Sequence, residues 1–343
     1  MNNSENNFYK KAFSCIYVEE DAFRYDKTAV ILSHFANASV IPIHHYKDVF
    51  NRKNQNPVIQ KKSQQLILAV QKEKWIYPGA SVCQSFGNEH FYYASLMMNC
   101  IYDCEYCYLQ GMYPSGHLTV FVNTEDCFAD LERLLLLHPV YLCISFDSDL
   151  LAFEGITGYV AEWCEYCRLH PELTVEVRTK SAAFALFKGI TVPRNLILAW
   201  TLTPDYVAEN YEHKAPPLKA RIKAAAEAVE SGASVRLCFD PVLLVPGFEN
   251  VYSEFFETVF TALPPARIKD VSFGEFRVSC DYLKRMRKLR PGSRLLWYPY
   301  TAKSGVAGYS SEQNASLIEF FKKQLAFYLS DDKIYFWKGA GNI

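Results

Sequence analysis

Cys100, Cys104 and Cys107 carry the densest chemistry in the sequence, within the segment MNCIYDCEYCYLQG. A C-x3-C-x2-C spacing lets three thiolates fold around one corner of a cubane and ligate three irons of a [4Fe–4S] cluster. Such a cluster ordinarily takes four cysteines, so the fourth iron would be open to a non-protein ligand. The same residues allow a zinc site, with Cys104 and Cys107 as a CxxC pair completed by Cys100 and a histidine such as His117. They also allow plain core cysteines.

The rest of the composition bounds these readings. The chain has 343 residues, half of them apolar and 21% charged, which suits a sizeable core and excludes wholesale disorder. Lys and Arg number 36 against 37 Asp and Glu, so a globally basic nucleic-acid binder is excluded while a local basic face is not. The N-terminal stretch MNNSENNFYKK is polar and has no apolar h-region, so no secretory signal is expected. The most apolar run, Leu134 to Phe146, is broken by His138 and Pro139 and is too short to span a bilayer. Eleven cysteines without a signal peptide point to the reducing cytoplasm, where clustered thiols hold metal or do chemistry. Cys164 and Cys167 form a second CxxC inside a helical segment, where i,i+3 spacing puts both on one face as core residues. Cys15, Cys83, Cys127, Cys238 and Cys280 are scattered and read as buried small apolar side chains.

The elements that must position the triad follow an alternating pattern. Tyr92–Met98, Val140–Phe146, Leu173–Thr179, Leu196–Leu202, Ser234–Phe239 and Ile268–Phe273 read as strands covered on both faces. Helical segments lie between them, one opened by Thr124 and another by Pro216-Pro217 and closed by Gly232. This predicts a parallel α/β fold. A small α/β lobe is expected over residues 1–89, with strands at Cys15–Val18, Ser39–Ile43 and Leu66–Val70 and a helix near Thr28–Phe35. Its boundary falls in the Pro78–Asn88 turn region. After Arg290 a strand (Leu295–Tyr298), a helix (Gln313–Leu329) and a final strand (Lys333–Trp337) are expected.

The triad after the first strand of a six-strand α/β unit resembles the radical S-adenosylmethionine (SAM) superfamily. There the open iron chelates the amino and carboxylate groups of SAM, and an aromatic before the last cysteine, here Tyr106, packs near the adenine. Within it, the chain resembles the spore photoproduct lyase family. The resemblance rests on Cys107-Tyr108-Leu109-Gln110, Asn123–Asp126, Ser148-Asp149, Arg178-Thr179-Lys180, the Ala-rich Lys219–Ala228 after Pro216-Pro217, and Lys333-Ile334-Tyr335.

The resemblance implies a partial (β/α)6 TIM-like barrel over 90–290, the small lobe over 1–89, and a C-terminal strand-helix-strand extension over 291–343. It implies a [4Fe–4S] cluster on Cys100, Cys104 and Cys107, with SAM as second cofactor. Tyr106, Ser148, Lys180 and Thr201 match positions near SAM, and Tyr106 and Tyr108 match aromatics flanking the last ligand. The implied activity is a carbon–carbon lyase reaction that repairs methylene-bridged thymine dimers in DNA through a 5′-deoxyadenosyl radical. An external electron donor would be a partner, and no membrane would be.

One segment departs from the family pattern. Well-studied members carry Cys-Thr-Ser-Asp after the second strand, and that cysteine donates a hydrogen. Here Cys143-Ile144-Ser145-Phe146-Asp147-Ser148-Asp149 puts Phe146, which cannot donate, at that position. Cys143 lies three residues upstream and, with a strand period of two, is expected on the opposite face. Either Tyr108, another thiol or solvent quenches the product radical, or the substrate is a different nucleobase lesion, RNA or a peptide. A third reading is a non-catalytic, metal-holding nucleic-acid-binding module.

For nucleic acid, Arg277–Arg294 sets Arg277, Lys284, Arg285, Arg287, Lys288, Arg290 and Arg294 against the lone Asp281, which suits phosphate contacts or a solvated helix face. Lys47–Lys62 is a weaker basic stretch, and Asp240-Pro241 ends the fifth strand in either a site or a turn.

Overall fold

A computed structural model describes residues 13–80, 83–187 and 189–337. The polar N-terminal stretch MNNSENNFYKK lies outside the described residues. The class is α/β, with two parallel-rich sheets. The larger runs in the order Ile334–Phe336, Asp270–Glu275, Ser234–Val242, Leu196–Thr201, Leu173–Thr179, Val140–Cys143, Phe91–Ala94, Ile76–Pro78. All neighbours pair in parallel except the Ile76–Pro78 edge. The sheet has two edges and does not close into a barrel among the described residues. Every residue of Leu196–Thr201 and Asp270–Glu275 is buried, as strands covered on both faces must be.

The smaller sheet runs Ser39–Ile43, Cys15–Glu19, Leu66–Ala69, Leu118–Phe121, Met97–Met98. It draws strands from both sides of residue 90. Pro42 sits in the exposed edge strand, where a missing N–H costs no ladder bond.

The expected strand Tyr92–Met98 is two strands. Phe91–Ala94 stays in the larger sheet, and Met97–Met98 crosses to pair antiparallel with Leu118–Phe121. The break is at Ser95, whose Oγ bonds the buried Asp147 carboxylate. Val140–Cys143 also ends before Phe146, because Ser145 turns its hydroxyl to the backbone N–H of Arg178 at 2.5 Å. The apolar run Leu295–Tyr298 is a turn rather than a strand. Its carbonyls are taken by Arg287, which bonds Leu296 O at 2.6 Å and Tyr298 O at 3.2 Å. A hairpin of Thr301–Lys303 with Val306–Gly308 follows instead. The C-terminal helix is Ser311–Leu325, opened by a capping box between Ser310 and Gln313. Among the described residues no helix is long and apolar enough to cross a membrane.

Candidate active site

The cysteine loop is tied at both ends before any ligand is considered. Asn99 takes φ 66°, a left-handed conformation that asparagine tolerates better than most residues. Its side-chain amide donates to Ser115 O at 2.7 Å and His117 O at 2.8 Å. Within the loop, Asp103–Cys104 pairs antiparallel with Glu212–His213, and Gln110 Nε2 donates to Cys104 O at 2.6 Å. From the N-terminal lobe, buried Lys61 donates to Cys100 O and to Tyr102 O at 3.0 Å.

Cys100, Cys104 and Cys107 are free thiols lining one pocket with Lys61, Asn99 and Asp103. Burial pushes the Cys100 thiol up to about 12 and raises Cys104 and Cys107 too, against the opposing pull of Lys61 or Lys180. The bare thiols are therefore protonated near neutrality, and a metal would displace those protons. Among the described residues no three His, Cys, Asp or Glu side chains gather around a point that would hold a single ion. His117 is turned away from the thiols: Nδ1 accepts from Gln65 N at 3.1 Å, and Nε2 lies 3.2 Å from the Gln60 amide. The zinc arrangement thus finds no ligand set.

Tyr106 is buried, and its hydroxyl donates to Glu212, which also accepts from Arg221. The Glu212–Arg221 pair is fully buried, and Arg221 Nε reaches Pro216 O at 2.7 Å. The Lys180 ammonium sits 5.4 Å from the Tyr106 ring centroid, a cation–π approach. Lys180 is placed by Asp149, whose carboxylate accepts from Lys180 N at 2.6 Å, Thr179 Oγ1 at 2.7 Å and Ala152 N at 3.0 Å. Ser148, half-buried, precedes Asp149 on that loop. Thr201 is buried at the end of its strand, its carbonyl 3.5 Å from Arg221 Nη1. The structure therefore gathers the triad, Tyr106 and Lys180 at one mouth, with Ser148 on the adjoining loop.

A family model, spore photoproduct lyase, matches residues 12–289. The chain belongs to the spore photoproduct lyase family. It is 24% identical to the spore photoproduct lyase of Bacillus subtilis (strain 168) over 178 residues, 51% of this chain and 52% of that one. It is 22% identical to that of Clostridium acetobutylicum over 212 residues, 60% of this chain and 62% of that one. The matched stretches thus span about half to three-fifths of those relatives. A solved spore photoproduct lyase variant with bound AdoMet and dinucleoside spore photoproduct shares the fold, with a TM-score of 0.79 and 18% identity, covering 95% of this chain and 99% of that one.

Against that family pattern, the Phe146 position has a defined surrounding. Phe146 stacks on Tyr93, ring centroids 4.2 Å apart, and its carbonyl accepts from the Tyr108 hydroxyl at 2.7 Å. Cys143 is buried in register with Tyr93 and Glu176 on its neighbouring strands.

The basic segment is not one free face. Arg277 pairs with Asp240 at 3.2 Å, which gives that aspartate an internal partner. Arg285 donates to Gly111 O at 3.0 Å, and Arg290 bonds Gln110 Oε1 at 2.6 Å and Asp103. With Arg287 on Leu296 and Tyr298, these side chains brace the cysteine loop and its neighbours. Lys284, Lys288 and Arg294 are exposed, as is Arg285 apart from the one nitrogen that reaches Gly111 O. The helix approaches closely at Gly111, where a Cβ would lie 2.6 Å from Tyr282 Cα.

Sequence reasoning assigned no role to Lys61, Gln110, Asp149, Glu212 or Arg221. Asp149 had a signal in its place beside Ser148. Gln110 lay in the Cys107–Gln110 motif and Arg221 in the Lys219–Ala228 segment, but neither segment named its partner, and Glu212 had no signal, reading as a surface charge until paired.

Proposed function

We propose that this chain is a radical SAM lyase repairing methylene-bridged thymine dimers in DNA. The reading is carried by three thiols, Cys104 buried and Cys100 and Cys107 half-buried, that share one pocket without converging on one ion, beside a lysine poised over an aromatic ring. That spread suits a [4Fe–4S] cluster, in which each thiolate holds a different corner. Loaded with SAM, such a cluster supplies the electron and the 5′-deoxyadenosyl radical. Solved relatives are described as binding AdoMet and dinucleoside spore photoproduct, and we extend both ligands to this chain.

Cys100, Cys104 and Cys107 hold the cluster. Glu212 fixes the Tyr106 hydroxyl, leaving the ring to pack against adenine. Lys180, a compact point charge, suits the SAM carboxylate, and the Ser148 and Thr201 hydroxyls suit carboxylate or ribose oxygens. Tyr108, held at the Phe146 carbonyl, faces the reacting end as the second catalytic aromatic. The six consecutive parallel strands serve as a partial (β/α)6 barrel over 90–290. Residues 1–89 act as a lobe bracing the thiol loop, and 291–343 as an extension packed on the barrel. DNA, reached partly through Arg277–Arg294, and an external electron donor are the partners, and the cytoplasm is the location.

Anaerobic reconstitution tests this. About four iron per chain and 5′-deoxyadenosine from SAM under reduction are expected, followed by thymine from a synthetic dimer dinucleotide. Bound zinc without SAM cleavage would instead leave a metal-holding nucleic-acid-binding module. Phe146 favours a second reading, the same chemistry on another nucleobase lesion, RNA or a peptide. Phe146→Cys is expected to give cleaner turnover on the dimer; SAM cleavage with no repair by either protein would select that second reading.

A further inference from the structure

Lys61 lies 39 residues before the first thiol, on the short turn Lys61–Ser63 of the N-terminal lobe, yet it is pressed against the cysteine loop. It is 7% exposed. The bonds its ammonium makes are to carbonyls, Cys100 O and Tyr102 O at 3.0 Å. Gln64 adds a donor to Cys100 O at 3.2 Å and ties it to Gly116 O at 2.7 Å, while Lys214 donates to Lys61 O from outside. Among the described residues no carboxylate stands at ion-pair distance from Lys61. The two fully buried arginines behave differently. Arg221 has Glu212, and Arg236 has both Asp270 and Glu176. A buried cation is costly without an opposite charge. What Lys61 does face is the pocket lined by the three thiols, where the one carboxylate, Asp103, is already bonded by Arg290.

We infer that Lys61 is a positioning residue that sets the reduction potential of the cluster, its ammonium being the counter-charge to the thiolate-held group. The inference rests on the cluster reading proposed above. One-electron reduction adds a negative charge to the group, and a fixed positive charge at its edge favours the reduced form. Net charge and hydrogen bonding near the sulfurs are established levers on such potentials. The same two carbonyl bonds hold the backbone of Cys100 in place, so position and charge come from one side chain.

The test uses the full chain, reconstituted anaerobically and titrated potentiometrically with the reduced cluster read by electron paramagnetic resonance. Lys61→Gln keeps a donor for the Cys100 carbonyl and removes the charge. It is expected to hold wild-type iron while its reduced-to-oxidised ratio at a fixed potential falls about tenfold, about 59 mV for a one-electron couple. Lys61→Arg is expected to keep the wild-type ratio. An iron-loaded Lys61→Gln with an unmoved midpoint would overturn the inference, as would a folded Lys61→Gln that takes up no iron. Should Lys61→Gln not fold, Lys61→Arg decides: a wild-type midpoint supports the charge role and a tenfold fall overturns it. Wild-type iron uptake separates the two levels. No cluster in wild type overturns both readings, whereas a normal wild-type cluster with an unmoved variant overturns only this one.

Discussion

The two ends of the larger sheet bury charge in opposite ways. Where the strands begin, Arg236 donates to both oxygens of Asp270, to Glu176 at 2.6 Å and to the Tyr141 hydroxyl at 2.6 Å, with Phe86 stacked 3.2 Å from its guanidinium. Each of these charges is answered by a partner within the protein. At the mouth, Glu212 answers Arg221, but Lys61 and Lys180 have no carboxylate at ion-pair distance among the described residues. With Arg178 as a second cation on Glu176 at 3.2 Å, this network is closed and neutral, a structural floor. A mouth with cations left over is a seat for anions, whether thiolates or a ligand carboxylate.

The largest effect should come from breaking the mouth. On the proposed reading Cys104→Ala would remove one cluster ligand, and iron analysis with a SAM-cleavage assay is expected to show a depleted cluster and no measurable 5′-deoxyadenosine. Urea unfolding of the metal-free chain should move little, because the floor is untouched. A variant that still cleaved SAM would show that the triad is not the seat of the chemistry.

The floor should break the other way. Arg236→Met leaves Glu176 and Asp270 buried without the cation they share, a loss of about 3–5 kcal/mol in urea unfolding. SAM cleavage per iron-loaded molecule should be unchanged. The pH dependence gives a second check. Burial pushes the Glu176 carboxyl up, but Arg178 and Arg236 outweigh it and hold it below its ordinary 4.5. A depressed carboxylate contributes stability that is present above its ordinary value and is lost as pH falls through the depressed one. Without Arg236 the folded-state value rises, so that loss should be smaller and should finish at higher pH. An acid limb that stayed in place would mean Arg178 alone carries the depression.

The difference between these regions also marks what the sequence could reveal. The thiols were legible because their chemistry is written in spacing within one loop, and the strand alternation that carries the loop was legible because burial on both faces leaves near-continuous apolar runs. The charge networks were not. Tyr106 and Glu212 are 106 residues apart, and Arg236 and Tyr141 are 95 apart, so each reads as an isolated polar residue until the fold joins them. Strand ends failed for a related reason. Ser95 and Ser145 end pairing through side-chain bonds to Asp147 and to the Arg178 backbone, which hydrophobic pattern does not encode. The basic helix misled most directly. Arg287 and Arg290 have the composition of a solvated face but each spends two donors on the chain itself, and exposed Arg285 gives one nitrogen to Gly111 O.

Gly111 sits where that helix meets the loop. An added methyl would lie 2.5 Å from Tyr282 Cβ and 2.6 Å from its Cα, so backbone must shift. Gly111→Ala should cost about 1–3 kcal/mol, as overpacking does, and loosen the Arg290 bridge to Asp103. Reduced iron retention on dilution, with the floor's acid limb unchanged, is the expected signature. Full retention would show that the brace is dispensable.

The smallest effect on fold and thiol loop should come from the outward cations, and it sharpens the same contrast between charges that are answered and charges that are free. On the DNA reading, Lys284, Lys288 and Arg294 are free to release counterions from phosphates, whereas Arg285, Arg287 and Arg290 each hold at least one internal bond to the loop or its neighbours. Replacing the first three with Gln should leave stability and SAM cleavage intact while lowering the slope of log affinity against log salt by about 0.9 for each phosphate no longer neutralised. Replacing the second three should disturb the loop and leave that slope nearly unchanged. The reverse outcome would mean that the internal bonds open on DNA, and that the helix trades its hold on the cysteine loop for phosphate.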